Sequence, residues 1–397
     1  MDYNACMNPP ILITTSKQLD HAIEQLLTAD ALAVDTEFMR EKTYFPKLCL
    51  LQIACKDEVF LIDPLQHKLD LRPLARIWSK QSIVKVFHSG AQDLQILFDA
   101  CGVAPSPYFD TQDAAALIGM PEQVGYGVLV KRLLGKDLDK ADRFTDWSRR
   151  PLDASQLRYA ADDVIWLLQL YPLLVNKLRE LGRDSWLDAE FSKRCSEDAL
   201  TTDVRAVYLR LKRVSSLKPT QLAVAREVAA WRETCAMRKN IPKRWLLSDE
   251  AVLDIARRAP TSEEKLAKLR GVGPNLKREL GSLLVAVKAG RACPENEWPR
   301  LPQRPKLNAD DSAALELMAA IVRVRAEQNL LSQSVLASRA QLEDYVSRRS
   351  NDCAVMQGWR KELVGVELER LLAGQIALRL DSGVLAIEEV ADGVTTD

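Results

Sequence analysis

Short apolar runs alternate with amphipathic segments in the first half of the chain. Four runs rich in Val, Ile, Leu and Phe predict β-strands: ALAVDTEF (31–38), LCLLQIA (48–54), VFLIDP (59–64) and SIVKVFHS (82–89). Apolar residues recur at helical spacing in LRPLARIWSK (71–80), AQDLQILFDACG (91–102), TQDAAALIGM (111–120) and QLRYAADDVIWLLQLYPLLVNKLREL (156–181). Consecutive strands followed by strand–helix alternation predict an α/β domain with a mixed sheet over residues 1–204.

After about residue 205 the strand pattern disappears, and the remainder predicts helices joined by short loops. A weak internal repeat aligns CAMRKNIPKRWLLSDEAVLDIAR (235–257) with RVRAEQNLLSQSVLASRAQLEDYVSR (323–348). At a spacing of 89 it pairs Asn240 with Asn329, Leu247 with Leu336 and Leu253 with Leu342. A Pro-rich polar stretch at 293–308 separates the copies and is typical of a linker. We therefore expect two helical modules, at 205–292 and 309–390.

The 55 basic and 55 acidic residues cancel over the whole chain but not locally. Residues 205–308 hold 23 Lys and Arg against 10 Asp and Glu, while the segments on either side are net acidic. A basic central segment indicates that a polyanion docks there. The two helical modules differ in charge, so we expect different roles, with the acidic second module binding such a polyanion poorly and packing the domains or shaping the substrate entrance.

Other features of the composition favour a soluble cytoplasmic protein. No apolar run is long enough for a membrane helix, and the first residues lack the pattern of an export signal. The eight Cys are scattered without a C-x-x-C, and with only three His a zinc cage is disfavoured. Scattered thiols suit a reducing compartment. We expect no membrane association and no obligate protein partner.

Carboxylates are the candidate chemical groups. Asp35 and Glu37 alternate along one predicted strand and therefore share a face. Asp93 follows a strand and a glycine turn, and Tyr159 and Asp163 lie four residues apart on one helix face. Carboxylate oxygens are the ligands that Mg²⁺ and Mn²⁺ prefer, and two such ions can hold both oxygens of a phosphoryl displacement. The pattern predicts a two-metal site with Tyr159 positioned to orient or deprotonate a water.

These residues carry a family resemblance. VDTEF (34–38), HSGAQDL (88–94) and YAADDV (159–164) resemble the three motifs of the DEDD 3′→5′ exonucleases, and the Tyr-x-x-x-Asp form resembles the DEDDy branch. The context, DTEFMREKTYFPKLCLLQIA and DWSRRPLDASQLRYAADDV, resembles the ribonuclease D family. The helical modules resemble HRDC domains, the first copy more closely than the second.

The resemblance implies a ribonuclease-H-like α/β exonuclease domain followed by two all-α HRDC domains. It implies metal ligation by Asp35, Glu37, Asp93 and Asp163, with Tyr159 orienting the nucleophilic water. It further implies dependence on two divalent ions, Mg²⁺ or Mn²⁺, release of nucleoside 5′-monophosphates from RNA 3′ ends, and a role in the 3′ processing of precursor tRNA.

Further residues near the motifs have two interpretations each. His88 suits a structural group near the ligands, although a nucleic-acid contact stays open. Phe38 packs in the core by simple strand alternation, or stacks on the terminal base if the strand ends there. Asp110 has the pattern of a helix N-cap and is not counted as a ligand.

The first helical module offers candidate RNA contacts. Gly271 and Gly273 allow a tight turn whose following helix presents free N–H groups to a phosphate, or simply connect two packed helices. Basic residues of this module favour nucleic-acid contact: Lys239, Lys243, Arg244, Arg270, Lys277 and Arg278.

Two other functions remain open at this point. The same metal site would serve a DNA 3′→5′ exonuclease, because the sugar preference depends on contacts to the 2′-hydroxyl. A non-catalytic RNA-binding protein with a vestigial exonuclease domain is the alternative from another class, and the complete set of four carboxylates and Tyr159 argues against it.

Overall fold

The computed structural model describes residues 8–56, 58–138, 145–301 and 307–390. The strands are β1 (Ile11–Ile13), β2 (Ala31–Met39), β3 (Lys47–Cys55), β4 (Glu58–Ile62), β5 (Val84–Phe87), β6 (Tyr108–Asp110), β7 (Ile376–Asp381) and β8 (Val384–Glu389). The first helices are α1 (Ser16–Leu26), α2 (Ala75–Trp78), α3 (Ala91–Cys101), α4 (Thr111–Leu117), α5 (Tyr126–Leu134), α6 (Ala154–Glu180), α7 (Asp188–Arg194) and α8 (Glu197–Leu200). No helix in these ranges is long and apolar enough to cross a bilayer.

The remaining helices belong to two helical modules. The first contains α9 (Pro219–Lys239), α10 (Lys243–Leu246), α11 (Asp249–Arg258), α12 (Glu263–Ala267) and α13 (Leu280–Arg291). The second contains α14 (Ala309–Gln328), α15 (Gln333–Leu336), α16 (Arg339–Arg348), α17 (Gly358–Arg360), a π-helical turn (Lys361–Gly365) and α18 (Val366–Leu372).

Six strands of the described chain form one sheet in the order β1-β4-β3-β2-β5-β6. Central strand β2 pairs antiparallel with β3 and parallel with β5, so the sheet is mixed, as the sequence predicted. The predicted strands correspond to β2, β3, β4 and β5. The outer strands β1 and β6 are three residues long, too short for an alternating pattern to predict them.

The two faces of the sheet have separate cores. On one face, Ala33 of β2 packs in a cluster with Ala160 and Val164 of α6. On the other face, Val34 packs in a cluster with Leu97 of α3. Because side chains alternate along a strand, the residues that follow in β2 divide between the same two faces. Asp35 and Glu37 fall on the α6 face, and Thr36 falls on the α3 face.

The first helical module has its own core but is tied to the α/β domain by the loop after β2. The Asn240 side-chain oxygen accepts hydrogen bonds from the backbone N–H groups of Tyr44 and Phe45, each at 3.1 Å. The hydroxyl of Tyr44 donates to buried Glu233 at 2.7 Å. These contacts hold the module beside the end of β2, where Asp35 and Glu37 lie.

The second helical module shares one hydrophobic core with the α/β domain. Trp359 of α17 stacks on Trp186, with ring centroids 4.4 Å apart. Arg360 forms an ion pair with Glu190 of α7 at 2.6 Å. A domain whose core is continuous with its neighbour is not expected to move as an independent body.

The internal repeat is visible in the order of helices, but the predicted register was partly wrong. Asn240 and Asn329 both follow the long first helix of their module, at the predicted spacing of 89. The loop after Asn329 is one residue longer, so the next helices begin 90 residues apart. The predicted pairing of Leu247 with Leu336 is therefore wrong, because Leu246 and Leu336 are the residues that end α10 and α15. By the same slip, Val252 rather than Leu253 corresponds to Leu342.

The prediction that everything after residue 205 is helical was wrong at the C-terminal end. Strands β7 and β8 form an antiparallel hairpin. Its turn residues Ser382 and Gly383 both have positive φ, 51° and 87°, as a two-residue type I′ turn requires. The alternating pattern of IALRLD around a Ser-Gly pair was the available signal.

Candidate active site

Helix α6 positions one carboxylate and one tyrosine over the sheet. Its N-terminus is fixed by a capping box, in which the Asp153 side chain accepts from the N–H of Gln156 at 2.9 Å and the Gln156 side chain accepts from the N–H of Asp153. From this start, Tyr159 and Asp163 lie one turn apart, on the side of α6 that faces β2.

Three of the four predicted ligands meet between α6 and β2. Asp35, Glu37 and Asp163 each offer a carboxylate oxygen, and these oxygens lie within 4.8 Å of one another. The donor set consists of oxygen atoms on partly buried acids from a strand and a helix. Oxygen-only, multiply charged sets of this kind fit a hard divalent cation such as Mg²⁺ or Mn²⁺.

The raised pKa values of these carboxylates also fit a site for a divalent cation. Burial, followed by the charges of Asp163 and Asp93, raises the pKa of Glu37 to about 8. Burial and the neighbouring acids likewise raise the pKa of Asp35 well above its ordinary value. A group of acids that resists ionisation by itself gains most from a cation that neutralises the repulsion.

The fourth predicted ligand, Asp93, approaches from the other face of the sheet. It lies in the first turn of α3 and is not part of the trio. Its Oδ1 accepts a hydrogen bond from the hydroxyl of Thr36, the residue between the two strand carboxylates. Burial raises the pKa of Asp93 to about 6, and the bond from Thr36 opposes that rise. Its charge nevertheless acts on Asp35 and Glu37, so the four acids form one electrostatic unit.

Asp110 holds in place the turn between β5 and α3, which precedes Asp93. Its carboxylate accepts from the N–H groups of Ser89 at 2.9 Å, Gly90 at 3.0 Å and Gln112 at 2.9 Å. The bond from Gln112 is the predicted N-cap of α4; the other two hold the turn between β5 and α3. Gly90 is required there, because an added Cβ would lie 2.5 Å from the Cβ of Phe87.

Tyr159 is directed at the carboxylates. Burial, then the charges of Asp163, Glu37 and Asp35, raise its pKa, and its hydroxyl is hydrogen-bonded to Asp163. A phenol in this setting stays protonated at neutral pH. Orienting the water and deprotonating it both stay predictions for Tyr159, because bound cations would counter the carboxylate charges that raise this pKa.

A cavity of 450 Å³ opens beside the carboxylates and is lined by Asp35, Asp163, Tyr159, Tyr126 and His88, among others. Tyr126 donates to the backbone oxygen of Asp163 at 2.5 Å and so supports that turn of α6. No motif pointed to Tyr126, because it reaches the site from a different helix and acts through the backbone. His88 contacts Thr111 Oγ1 at 2.9 Å and the Val124 oxygen at 3.1 Å, so both of its ring nitrogens are engaged by protein.

Phe38 lies half-buried inside β2, which continues to Met39. Stacking of Phe38 on the terminal base was predicted only if the strand ended at Phe38, and that condition is not met. A register shift of the β2–β3 pairing falls between Glu37 and Phe38 and places an irregularity next to the site.

The predicted basic contacts divide into two groups. Lys243 and Arg244 line a groove of 780 Å³ between the first helical module and the α/β domain, together with Arg40 and the aromatic rings of Phe45 and Trp245. The Lys243 ammonium also pairs with Glu233 at 3.2 Å.

The second group is not among the residues that line this groove. Lys239 pairs with Glu279 at 2.7 Å. Arg270, Lys277 and Arg278 are exposed around the Gly271–Gly273 turn. A Cβ on Gly271, where φ is 87°, would lie 2.8 Å from the Cβ of Ala251, so packing against α11 explains this glycine.

Comparison with known families places the site in a recognised domain. A family model described as "3'-5' exonuclease" matches residues 10–179, which include all four carboxylates and Tyr159. A second model, described as "HRDC domain", matches residues 221–287, within the first helical module.

Curated relatives and solved structures agree. Ribonuclease D of Sphingobium indicum is 37% identical over 94% of this chain and 97% of its own length, and that of Bartonella henselae is 35% identical over 98% and 95%. The crystal structure of Escherichia coli RNase D has a TM-score of 0.81 at 29% identity and covers 93% of this chain and 99% of its own. The catalytic core of RRP6 from Trypanosoma brucei has a TM-score of 0.53 at 26% identity, covering 73% and 81%. The chain therefore belongs to the ribonuclease D family of 3′→5′ exoribonucleases.

Proposed function

We propose that this exoribonuclease hydrolyses RNA by a two-metal mechanism at the site formed by Asp35, Glu37, Asp93 and Asp163. The observation that carries the proposal is the meeting of three carboxylate oxygens within 4.8 Å, with Asp93 held beside them by Thr36. Two divalent cations, Mg²⁺ or Mn²⁺, would activate a water and stabilise the leaving 3′-oxygen when bound.

The protein groups have separate tasks in this proposal. The four carboxylates bind and space the cations. Tyr159 fixes the orientation of the attacking water through its hydroxyl, which it presents one helical turn before Asp163. The 450 Å³ cavity beside them is within the size range of small-ligand pockets and receives the terminal nucleotide. His88 lines its wall, and we assign Phe38 to packing rather than to the terminal base, because β2 continues past it to Met39.

The substrate we propose is RNA with a single-stranded 3′ end, precursor tRNA included, in the cytoplasm. The E. coli relative is described as an exoribonuclease involved in structured RNA processing. The groove between the α/β domain and the first module combines basic and aromatic side chains, the combination that binds single strands. Lys243 and Arg244 contact RNA along this groove, and Lys239, Arg270, Lys277 and Arg278 add weaker contacts on the same module.

We also propose that the second module, residues 309–390, is a divergent HRDC-like domain, whereas the first occupies 205–292. Its support is the same succession of helices as in the first module, at spacings of 89 and 90 residues. Its net acidic charge and the core that it shares with the α/β domain fit a structural role rather than RNA binding.

The test compares RNA and DNA of matched sequence, each with a duplex stem and a single-stranded 3′ tail, in Mn²⁺ and in Mg²⁺. We expect stepwise shortening of the RNA and release of nucleoside 5′-monophosphates. Asp35→Asn should abolish release while RNA binding persists. Equal rates on both sugars would contradict the RNA assignment, and turnover by Asp35→Asn would contradict the metal site.

A further inference from the structure

Gln52 of β3 is an unusual residue beneath α6. Its side chain is 0% exposed, and neither its amide nitrogen nor its amide oxygen has a hydrogen-bond partner among the described residues. Buried polar atoms in native proteins are nearly always paired, and an exception requires a functional or structural explanation. The flanking positions on the same strand face, Leu50 and Ala54, belong to the apolar core, so an amide here is costly without a purpose.

The register of the sheet offers an explanation for the buried amide of Gln52. Gln52 lies directly opposite Asp35 in the antiparallel β2–β3 ladder. Directly opposite residues share a face, with their Cβ atoms about 4.5–5.5 Å apart. The longer glutamine side chain can therefore bring its amide to the carboxylate of Asp35.

We infer that Gln52 is a positioning residue for Asp35. Its Nε2 donates to one carboxylate oxygen of Asp35 in the cation-loaded protein, which directs the other oxygen at the cation. Carboxylates that bind metals are commonly oriented by such neighbours. A neutral amide does this without a positive charge that would compete with the cation or a negative charge that would add repulsion. The inference rests on the metal site proposed above.

The test substitutes an unbranched apolar side chain of similar length, Gln52→Met, in the full-length protein. Mn²⁺ binding is measured by titration calorimetry without RNA. We expect roughly 10–100-fold weaker binding. The melting temperature of the metal-free variant should stay the same or rise by roughly 2–4 °C, because an unpaired buried amide is removed. Gln52→Asn, which keeps the amide on a shorter side chain, should bind Mn²⁺ with intermediate affinity, and saturating Mn²⁺ should restore most of kcat in both.

The control is Trp147→Phe. The Trp147 indole N–H is also buried and unpaired among the described residues, and its ring lies 6.0 Å from that of Tyr159. Trp147 lies in the turn before α6 and in no strand, so it is not paired opposite a predicted metal ligand, and removal of its N–H should leave Mn²⁺ affinity unchanged. Unchanged affinity in Gln52→Met, or equal losses in both variants, overturns the inference while the metal site stands. Absence of Mn²⁺ binding by the wild type overturns the metal site itself.

Discussion

The hydroxyl of Thr36 donates to the carboxylate of Asp93 across the edge of the site. This bond connects the two faces of β2, because Thr36 points away from the trio of carboxylates that its neighbours help to form. One strand thus provides two of the predicted ligands on one face and holds the fourth acid from the other. Thr36, the residue between Asp35 and Glu37, therefore positions Asp93, the predicted ligand that lies outside the trio.

Thr36→Val should weaken metal binding while the protein stays folded. The two side chains have nearly the same shape, but Val leaves the buried Asp93 without its donor, which we expect to cost roughly tenfold in Mn²⁺ affinity. The bond from Thr36 lowers the pKa of Asp93, so its loss should move that pKa above about 6. Calorimetric titrations from pH 6 to pH 9 should show a difference from wild type that shrinks as pH rises. Thr36→Ser, which keeps a hydroxyl, should bind nearly as the wild type does.

Asp163 and Asp162 provide a matched pair for testing the helix ligand. Asp163 belongs to the trio of carboxylates, whereas the side chain of Asp162 does not. Asp163→Asn should lower kcat by roughly 10²–10³-fold or more, because charge stabilisation at the reacting phosphate is lost. Asp162→Asn should retain most of the activity in the same single-turnover assay. Similar losses in the two variants would contradict the assignment of Asp163.

Glu37→Gln should stabilise the metal-free protein in alkaline solution. The folded-state pKa of Glu37 is about 8, above its ordinary 4.5, so the folded state binds more protons between these values. The free energy of unfolding therefore falls as pH rises from about 4.5 to about 8, and the contribution of Glu37 is lost above that. Melting temperatures should favour the variant at pH 8.5, with the difference vanishing near pH 4. Added Mn²⁺ should raise the melting temperature of the wild type more than that of the variant.

The parts of this molecule that sequence predicts best are those with strong local periodicity. Strands β2 and β3 and helices α3 and α6 have clear patterns, and each of the predicted ligands lies on one of them. The motifs Asp35-x-Glu37 and Tyr159-x-x-x-Asp163 specify a face as well as a position, which is why the shared site could be anticipated. The short strands β1 and β6 lack such length, whereas the terminal hairpin has an alternating pattern that the expectation of a purely helical C-terminal half overlooked.

Tertiary relationships were not predictable in the same way. That Thr36 bonds Asp93 depends on how α3 crosses the sheet edge, which Asp110 sets from a third element. That Gln52 faces Asp35 depends on the register of two strands, in a ladder that contains an irregularity. That the second module shares its core with the α/β domain depends on surfaces far apart in sequence.

Arg244→Ala should weaken RNA binding and reduce its salt dependence. Arg244 is exposed, lies in the most basic segment and lines the groove beside the site. Each lost phosphate contact lowers the slope of log K against log salt by roughly 0.7 for a single strand. Binding is measured in the Asp35→Asn background, so that cleavage does not interfere, at several salt concentrations.

The control for that measurement is Arg339→Ala, which removes an exposed arginine from the acidic second module, where it pairs with Glu316 at 2.8 Å. From charge alone, removal of residues 205–397 is expected to weaken RNA binding and to reduce its salt dependence. Point substitutions nevertheless test the charge more cleanly than this truncation. The second module completes the core of the α/β domain, so its removal would expose apolar surface and alter binding for reasons unrelated to charge. If Arg244→Ala leaves both affinity and slope at the values of Arg339→Ala, RNA does not follow the groove, and the exposed Arg270, Lys277 and Arg278 become the contacts to test.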